Sequence, residues 1–275
     1  MNMRLQHIEP HPMLKAYIEK MWLFESSGKM PVEDLKLVVP NGNIKLSVAF
    51  RNGIVAAVNG RPFISKEQNI SLTGLVDVPV ILDAEDNVAT GTIVVEFNPQ
   101  GAYRFFRLSL NDIKNQIHSL TDILGTVAKQ LEEQISNSER VEAKVALLQQ
   151  FLLKQFALQS EDAVFEYCVA QITASKGRMT IQELEKKTGY SSRWLNMKFK
   201  EKLGVSPKNL STIIRFNQYY NAVANNSEMD FMQNAFYDYY YDQSHFLKEF
   251  KRFTGISHAG FQYTTNDFGK LFYKE

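Results

Sequence analysis

Short runs of β-branched and other apolar residues fill the first hundred positions. They are 35–39 (LKLVV), 44–50 (IKLSVAF), 54–58 (IVAAV), 70–76 (ISLTGLV), 78–82 (VPVIL) and 92–97 (TIVVEF). Asn41-Gly42, Asn52-Gly53, Asn59-Gly60 and Asp86-Asn87 punctuate them as turn signals. Ile44, Leu46, Val48 and Phe50 alternate with Lys45, Ser47, Ala49 and Arg51, which predicts one buried face and one wetter face. Closely spaced strands of this kind predict a small barrel or a sandwich.

From Pro99 onward the period becomes helical. A short helix is predicted over Gly101 to Arg107 and a longer one over Leu120 to Ile135. In 139–158, Val141, Val145, Leu148, Leu152 and Phe156 form one apolar stripe. That stripe fits a homodimer seam, but Leu147, Phe151 and Leu153 widen it toward a helix packed on its own domain, which is the favoured reading. Asn137-Ser138 and Gln159-Ser160 interrupt the pattern, and a new helix, DAVFEYCVAQITA, starts at Asp162. The expectation is an α+β protein of two domains: a β-rich domain with trailing helices over 1–161, and an all-α domain over 162–275.

Composition sharpens this in a few places. The chain has 275 residues, 44% of them hydrophobic, enough for two well-packed cores. Its 31 basic and 30 acidic side chains leave a formal charge of +1, so no whole-molecule field points to a polyanion. The balance is uneven: residues 1–161 hold 16 basic and 18 acidic side chains, residues 162–275 hold 15 and 12. Cys168 is the one cysteine, which excludes an intramolecular disulfide and a multi-cysteine metal site. No apolar run reaches the roughly 18 residues of a membrane span, and the opening residues lack the apolar segment of a signal peptide. A cytoplasmic protein is expected.

Enzyme chemistry finds little support. Glycine-rich phosphate loops and Ser/His/Asp signatures are absent, and no cofactor or metal is expected. His7 and His11 stand four apart, but Pro10 and Pro12 oppose a shared helix face. His118 has the look of an ordinary histidine, and Cys168 lies in the apolar stretch of a helix.

The most informative feature is a self-match at a spacing of 51 residues. Phe199-Lys200, three residues, Gly204-Val205-Ser206-Pro207 recurs as Phe250-Lys251, three residues, Gly255-Ile256-Ser257-His258. Upstream, Thr180-x-x-Glu183 answers to Asp230-x-x-Gln233, each resembling a capping box. Each copy reads as helix, tight turn, helix. In the first, Gly189 supplies the turn, Ser191 or Ser192 the next cap, and Leu195, Phe199 and Leu203 the buried face. Arg193, Asn196, Met197 and Lys200 are then left outward, with side chains suited to guanine, adenine and thymine-methyl edges in a major groove. In the second, Asp242 caps a helix that buries Phe246, Phe250 and Phe253 and leaves Gln243, Ser244, His245 and Lys248 outward. Residues 176–202 carry eight Lys/Arg against three Glu, whereas 230–258 carry three bases against four acids. The charge count therefore favours the first copy.

Residues 162–262 resemble the AraC/XylS family of bacterial transcription regulators. The resemblance rests on G-Y-S-S-R-W-L-x-x-x-F-K-x-x-x-G-V-S-P at 189–207, I-R-F-N-Q-Y at 214–219, and Y-D-Q-S-H-F-x-x-x-F-K-R-F-T-G-I-S at 241–257. It implies two helix-turn-helix units joined by a long helix, here Pro207 to about Asn225. It also implies base-reading positions at Arg193, Asn196 and Met197, and at Gln243, Ser244, His245 and Lys248. Two such units on one chain would enter successive major grooves of double-stranded DNA, about 34 Å apart. Tyr239, Asn234 and His258 depart from the family pattern, all in the second unit. The stretch from Val39-Pro40-Asn41-Gly42 to Asn98-Pro99-Gln100-Gly101-Ala102 resembles the β-rich domains ahead of some such regulators, which implies small-molecule sensing or homodimerisation. An alternative function is an interaction or structural module that has lost sequence-specific DNA binding.

Overall fold

The computed structural model describes residues 3–27, 34–83, 88–158, 160–224, 237, 239–261 and 264–270. It is α+β, with two antiparallel sheets followed by helices. The expected turn at Asp86-Asn87, and the second unit's first helix from Asp230 with Asn234, lie outside the described residues.

The larger sheet runs β1 (Met3–His7), β2 (Ile18–Ser26), β9 (Thr90–Phe97), β4 (Ile44–Arg51), β7 (Ile70–Thr73), β10 (Ile117–Ser119). The smaller runs β3 (Leu37–Val38), β8 (Val80–Asp83), β5 (Val55–Val58), β6 (Arg61–Ile64). Six of these strands answer to the predicted runs, while β1, β2, β6 and β10 are additional. The sequence IEKMWLFES of β2 has no clean alternation because Met21, Trp22, Leu23 and Phe24 are buried on both faces. At the β5–β6 hairpin, Asn59 and Gly60 take φ of 50° and 75°, the turn that an Asn-Gly pair favours.

Register decides what each face does. Leu46 pairs with Val95 and Leu72, while Lys45 pairs with Glu96 and Thr73. Leu46, Val48, Leu72, Ile93 and Val95 belong to the main apolar core shared with the helices. The wetter face expected of Lys45 and Ser47 is turned instead to the gap between the two sheets. Alternation separates two faces but carries no information on which of them a second sheet will cover.

The predicted helix at 101–107 is only a 3-10 turn, Ala102–Arg104. The helix expected over 120–135 is two, α1 (Leu120–Leu124) and α2 (Thr126–Ser136), broken at Gly125 with φ 55°. In α3 (Val141–Phe156), Leu148 and Leu152 are fully buried, and Phe156 packs on Tyr17 and Phe105, so the stripe packs within the chain. One apolar core continues from there into α4 (Ala163–Ala174), α5 (Ile181–Thr188), α6 (Ser192–Leu203), the long α7 (Pro207–Ala224) and α8 (Gln243–Thr254). No helix among the described residues is long and apolar enough to cross a membrane.

Candidate functional site

The first helical unit forms from strong local signals. Thr180 accepts from Glu183 N while Glu183 accepts from Thr180 N, a complete capping box opening α5. Gly189 ends α5 at φ 75°, and Ser191 caps α6 by accepting from Trp194 N. Leu195, Phe199 and Leu203 are buried, leaving Arg193, Met197 and Lys200 exposed. Asn196 is half-buried and donates one amide proton to Ser192 O at 2.8 Å; its other proton and its oxygen stay available.

The opposite flank of α6 is docked on the β-rich half. Lys202 sits 4.3 Å over the Tyr103 ring of that half, and Lys198 and Lys202 lie 3.0 and 3.5 Å from Asp162, the cap of α4. Burial works to raise the Asp162 pKa, but Lys198, the Phe165 amide and Lys202 outweigh it and hold it below the ordinary value. Two of the eight cations in 176–202 are therefore committed inside the molecule. Tyr103 in turn donates to Glu166, and Arg104 lies between the Tyr17 and Phe156 rings.

In α8, Asp242 caps by accepting from Ser244 N, and Phe246, Phe250 and Phe253 are buried as expected. Gln243, Ser244, His245 and Lys248 are exposed. His245 Nε2 is 3.2 Å from Glu249 Oε1, a carboxylate that also accepts from Arg215. His258, in place of a proline, accepts or donates at Tyr219 Oη (3.0 Å) and lays its ring against Phe246 and Phe250. Of the aromatic run before α8, Tyr240 is buried and Tyr241 is fully exposed beside the outward residues.

His245 and Lys248 open onto a cleft of about 890 Å³ between the two units. Its cations come from distant places in sequence: Lys114, Arg178, Lys208, Arg215, Lys248 and Arg252, against Asp77 and Glu249. Six minus two leaves +4, concentrated where the window count over 230–258 had found an acidic excess. Asp77 is almost fully buried at the rim and binds Lys114, Asn115, Asn209 and Arg252. Nothing in the local sequence singled it out.

A second feature is a cavity of about 90 Å³ between the sheets, room for on the order of six to eight water-sized volumes. One wall is polar, with Lys45, Ser47, Ser71, Thr73, Thr92 and Glu96; the other is apolar, with Val38, Ala56, Phe63, Val80 and Leu82. Glu96 accepts from Asn41 at 3.0 Å and Asn43 at 3.2 Å, and Lys45 donates to Asn41. Thr92 Oγ1 is buried without a hydrogen-bond partner. A polar wall carrying an unmatched hydroxyl suits a small ligand with a polar edge.

The other candidates are placed plainly. His7 pairs with Glu9, His11 Nδ1 accepts from Met13 N, and His118 bonds Gln116 on the surface. Burial raises the Cys168 thiol to about 11, which keeps it protonated at neutral pH.

Comparison with known proteins gives the following. Residues 6–119 match a family described as a domain of unknown function (DUF6597). None of the curated proteins matches the chain. Among solved structures, ToxT from Vibrio cholerae is 12% identical, with 88% of this chain and 97% of that one covered and a TM-score of 0.48. ToxT bound to an unsaturated fatty acid is 13% identical over 94% and 98% of the two chains, with a TM-score of 0.42. The AraC-like transcriptional activator CuxR is 17% identical over 74% of each chain, with a TM-score of 0.26.

Proposed function

We propose that this chain is a DNA-binding transcription regulator of the AraC/XylS kind, whose β-rich half takes a small effector in the cavity between its sheets. The observation that carries the reading is the disposition of the two capped helices α6 and α8. Each buries its apolar stripe, and seven of the eight expected DNA-facing side chains are exposed, Asn196 being half-buried. Arg193 and Asn196 have the donor and acceptor sets for guanine and adenine edges, Met197 can lie on a thymine methyl, and Lys200 stands at the phosphates. Gln243, Ser244, His245 and Lys248 present the equivalent face of the second helix. The cationic cleft would take the backbone between the two grooves.

The effector side rests on the cavity. Its volume suits a molecule of few heavy atoms, with one edge hydrogen-bonded along Lys45, Glu96 and Thr92 and the other face against Phe63 and Leu82. Selection of duplexes from a random DNA pool, at two salt concentrations, tests the regulator reading. The expected result is a motif of two elements about one helical turn apart, with affinity falling steeply with salt. Recovery of no motif, with binding no tighter than to bulk DNA, would replace it with the interaction-module reading.

A further inference from the structure

Two ionisable side chains, Lys45 and Glu96, line the cavity between the sheets. They stand opposite each other in register on β4 and β9, yet among the described residues they form no ion pair. The Asn41 carboxamide lies between them instead. Its Nδ2 donates to Glu96 Oε2 at 3.0 Å, and its Oδ1 accepts from Lys45 Nζ at 3.2 Å. Asn41 is itself held in place, since Oδ1 also accepts from Asn43 N at 3.1 Å. Asn43 Nδ2 donates to the same Glu96 oxygen at 3.2 Å. Lys20 faces Glu96 from β2 but does not line the cavity.

Glu96 is 5% exposed and both amides bind its Oε2, so among the described residues Oε1 takes no hydrogen bond. Lys45 donates one of its three N–H groups to Asn41. Opposite charges kept apart beside a cavity, each with bonding capacity left over, are unfavourable until a ligand completes them. A ligand with a single charge would satisfy one and leave the other unpaired. A zwitterion satisfies both. Its ammonium donates to Glu96 Oε1, and its carboxylate accepts from Lys45, with Thr73 opposite that lysine on β7. The facing wall of Val38, Ala56, Phe63, Val80 and Leu82 offers the rest of the molecule apolar contact alone. A volume of about 90 Å³ matches valine or leucine, with about eight or nine non-hydrogen atoms. We propose that the effector is an α-amino acid with a small apolar side chain, held through its ammonium by Glu96 and through its carboxylate by Lys45. The proposal rests on the effector reading above and narrows it.

Calorimetric titration of the full chain with L-valine, L-leucine, isovalerate and isobutylamine tests it. The last two keep the isobutyl group of leucine and carry one charge each. The better amino acid is expected to bind about 10- to 100-fold more tightly than either, as for loss of one charge-assisted contact. Glu96→Gln should narrow the gap to isovalerate, and Lys45→Met the gap to isobutylamine. Isovalerate or isobutylamine binding as tightly as the amino acids overturns the assignment, as does a gap that neither substitution narrows. Should a variant not fold, the four probes on the unsubstituted protein decide alone. No binding of any probe, with a neutral compound retained from a small-molecule library, overturns the zwitterion and keeps the effector reading. Nothing retained from that library overturns both.

Discussion

Asp77 and Arg252 are joined across 175 positions of sequence, from a loop of the β-rich half to the helix α8, with a contact of 2.5 Å. The same carboxylate holds Lys114 at 2.8 Å and accepts from Asn209 on α7 at 2.7 Å. Val76, its neighbour, lines the cavity between the sheets, so one carboxylate stands between the proposed effector site and both α7 and α8.

Burial would raise the Asp77 pKa, but the bonds from Lys114, Asn115 and Asn209 outweigh it and hold the group at about 2. An unfolded aspartate titrates near 3.9, so the folded pKa is depressed. The stabilisation is therefore present above about pH 4 and lost as pH falls toward 2, with a magnitude of about 2 kcal/mol. Asp77→Asn should lower stability in urea at pH 7 by about that amount, and the gap to the parent should close between pH 4 and 2. A gap that is constant with pH would mean that the charge is not what holds the contact.

Loss of the Asp77 charge takes the cleft from +4 to +5 and releases Arg252, one of its six cations. For Asp77→Asn the slope of log affinity against log salt should therefore steepen by about 1, as for one added phosphate contact. An unchanged slope in a titration with the selected duplex would show that Arg252 does not reach the backbone.

Arg193 stands exposed in the first turn of α6, where a bidentate contact to guanine discriminates by about 1–3 kcal/mol. Arg193→Ala is expected to weaken binding by about 10- to 100-fold and to relax one base position. Lys248 faces the cleft, and Lys248→Ala should reduce affinity less. Equal or reversed losses in parallel titrations would contradict this order.

Thr92 is buried at the cavity wall with an unmatched hydroxyl. Valine has the same shape without that group, so Thr92→Val should stabilise the empty protein by about 1 kcal/mol, measured by urea denaturation. A structural threonine would give the opposite sign. The same change should weaken any ligand that hydrogen-bonds there.

Legibility in the sequence followed locality. The capping box at Thr180 and Glu183, the turn at Gly189 and the buried triplet Leu195, Phe199 and Leu203 each depend on residues within a few positions. Strand β2 escaped because burial on both faces erases alternation. Lys45 and Ser47 were assigned to the right face but the wrong environment, since the covering sheet is built from residues 37–83. The cleft was invisible to a charge window because its cations are drawn from 114 to 252. Asn266, which accepts from Leu37 N and donates to Leu37 O, gave no signal at all, because a buried amide that stands in for a strand has no sequence pattern.

Two glycines around α6 separate the cost of backbone conformation from that of docking. Gly189 has φ 75° and nothing within 4 Å of an added Cβ, so Gly189→Ala should cost only the left-handed penalty, about 1 kcal/mol. Gly204, at φ 88°, would place a Cβ 2.8 Å from the Leu110 carbonyl oxygen, a backbone atom of the β-rich half. Relief there requires α6 to move as a body away from the turn at Leu110–Ile113, which strains the contact of Lys202 with the Tyr103 ring. Gly204→Ala should therefore cost clearly more in chemical denaturation, and should accelerate deuterium exchange in α6 where Gly189→Ala does not. Equal costs would show that α6 is not seated on that turn in solution.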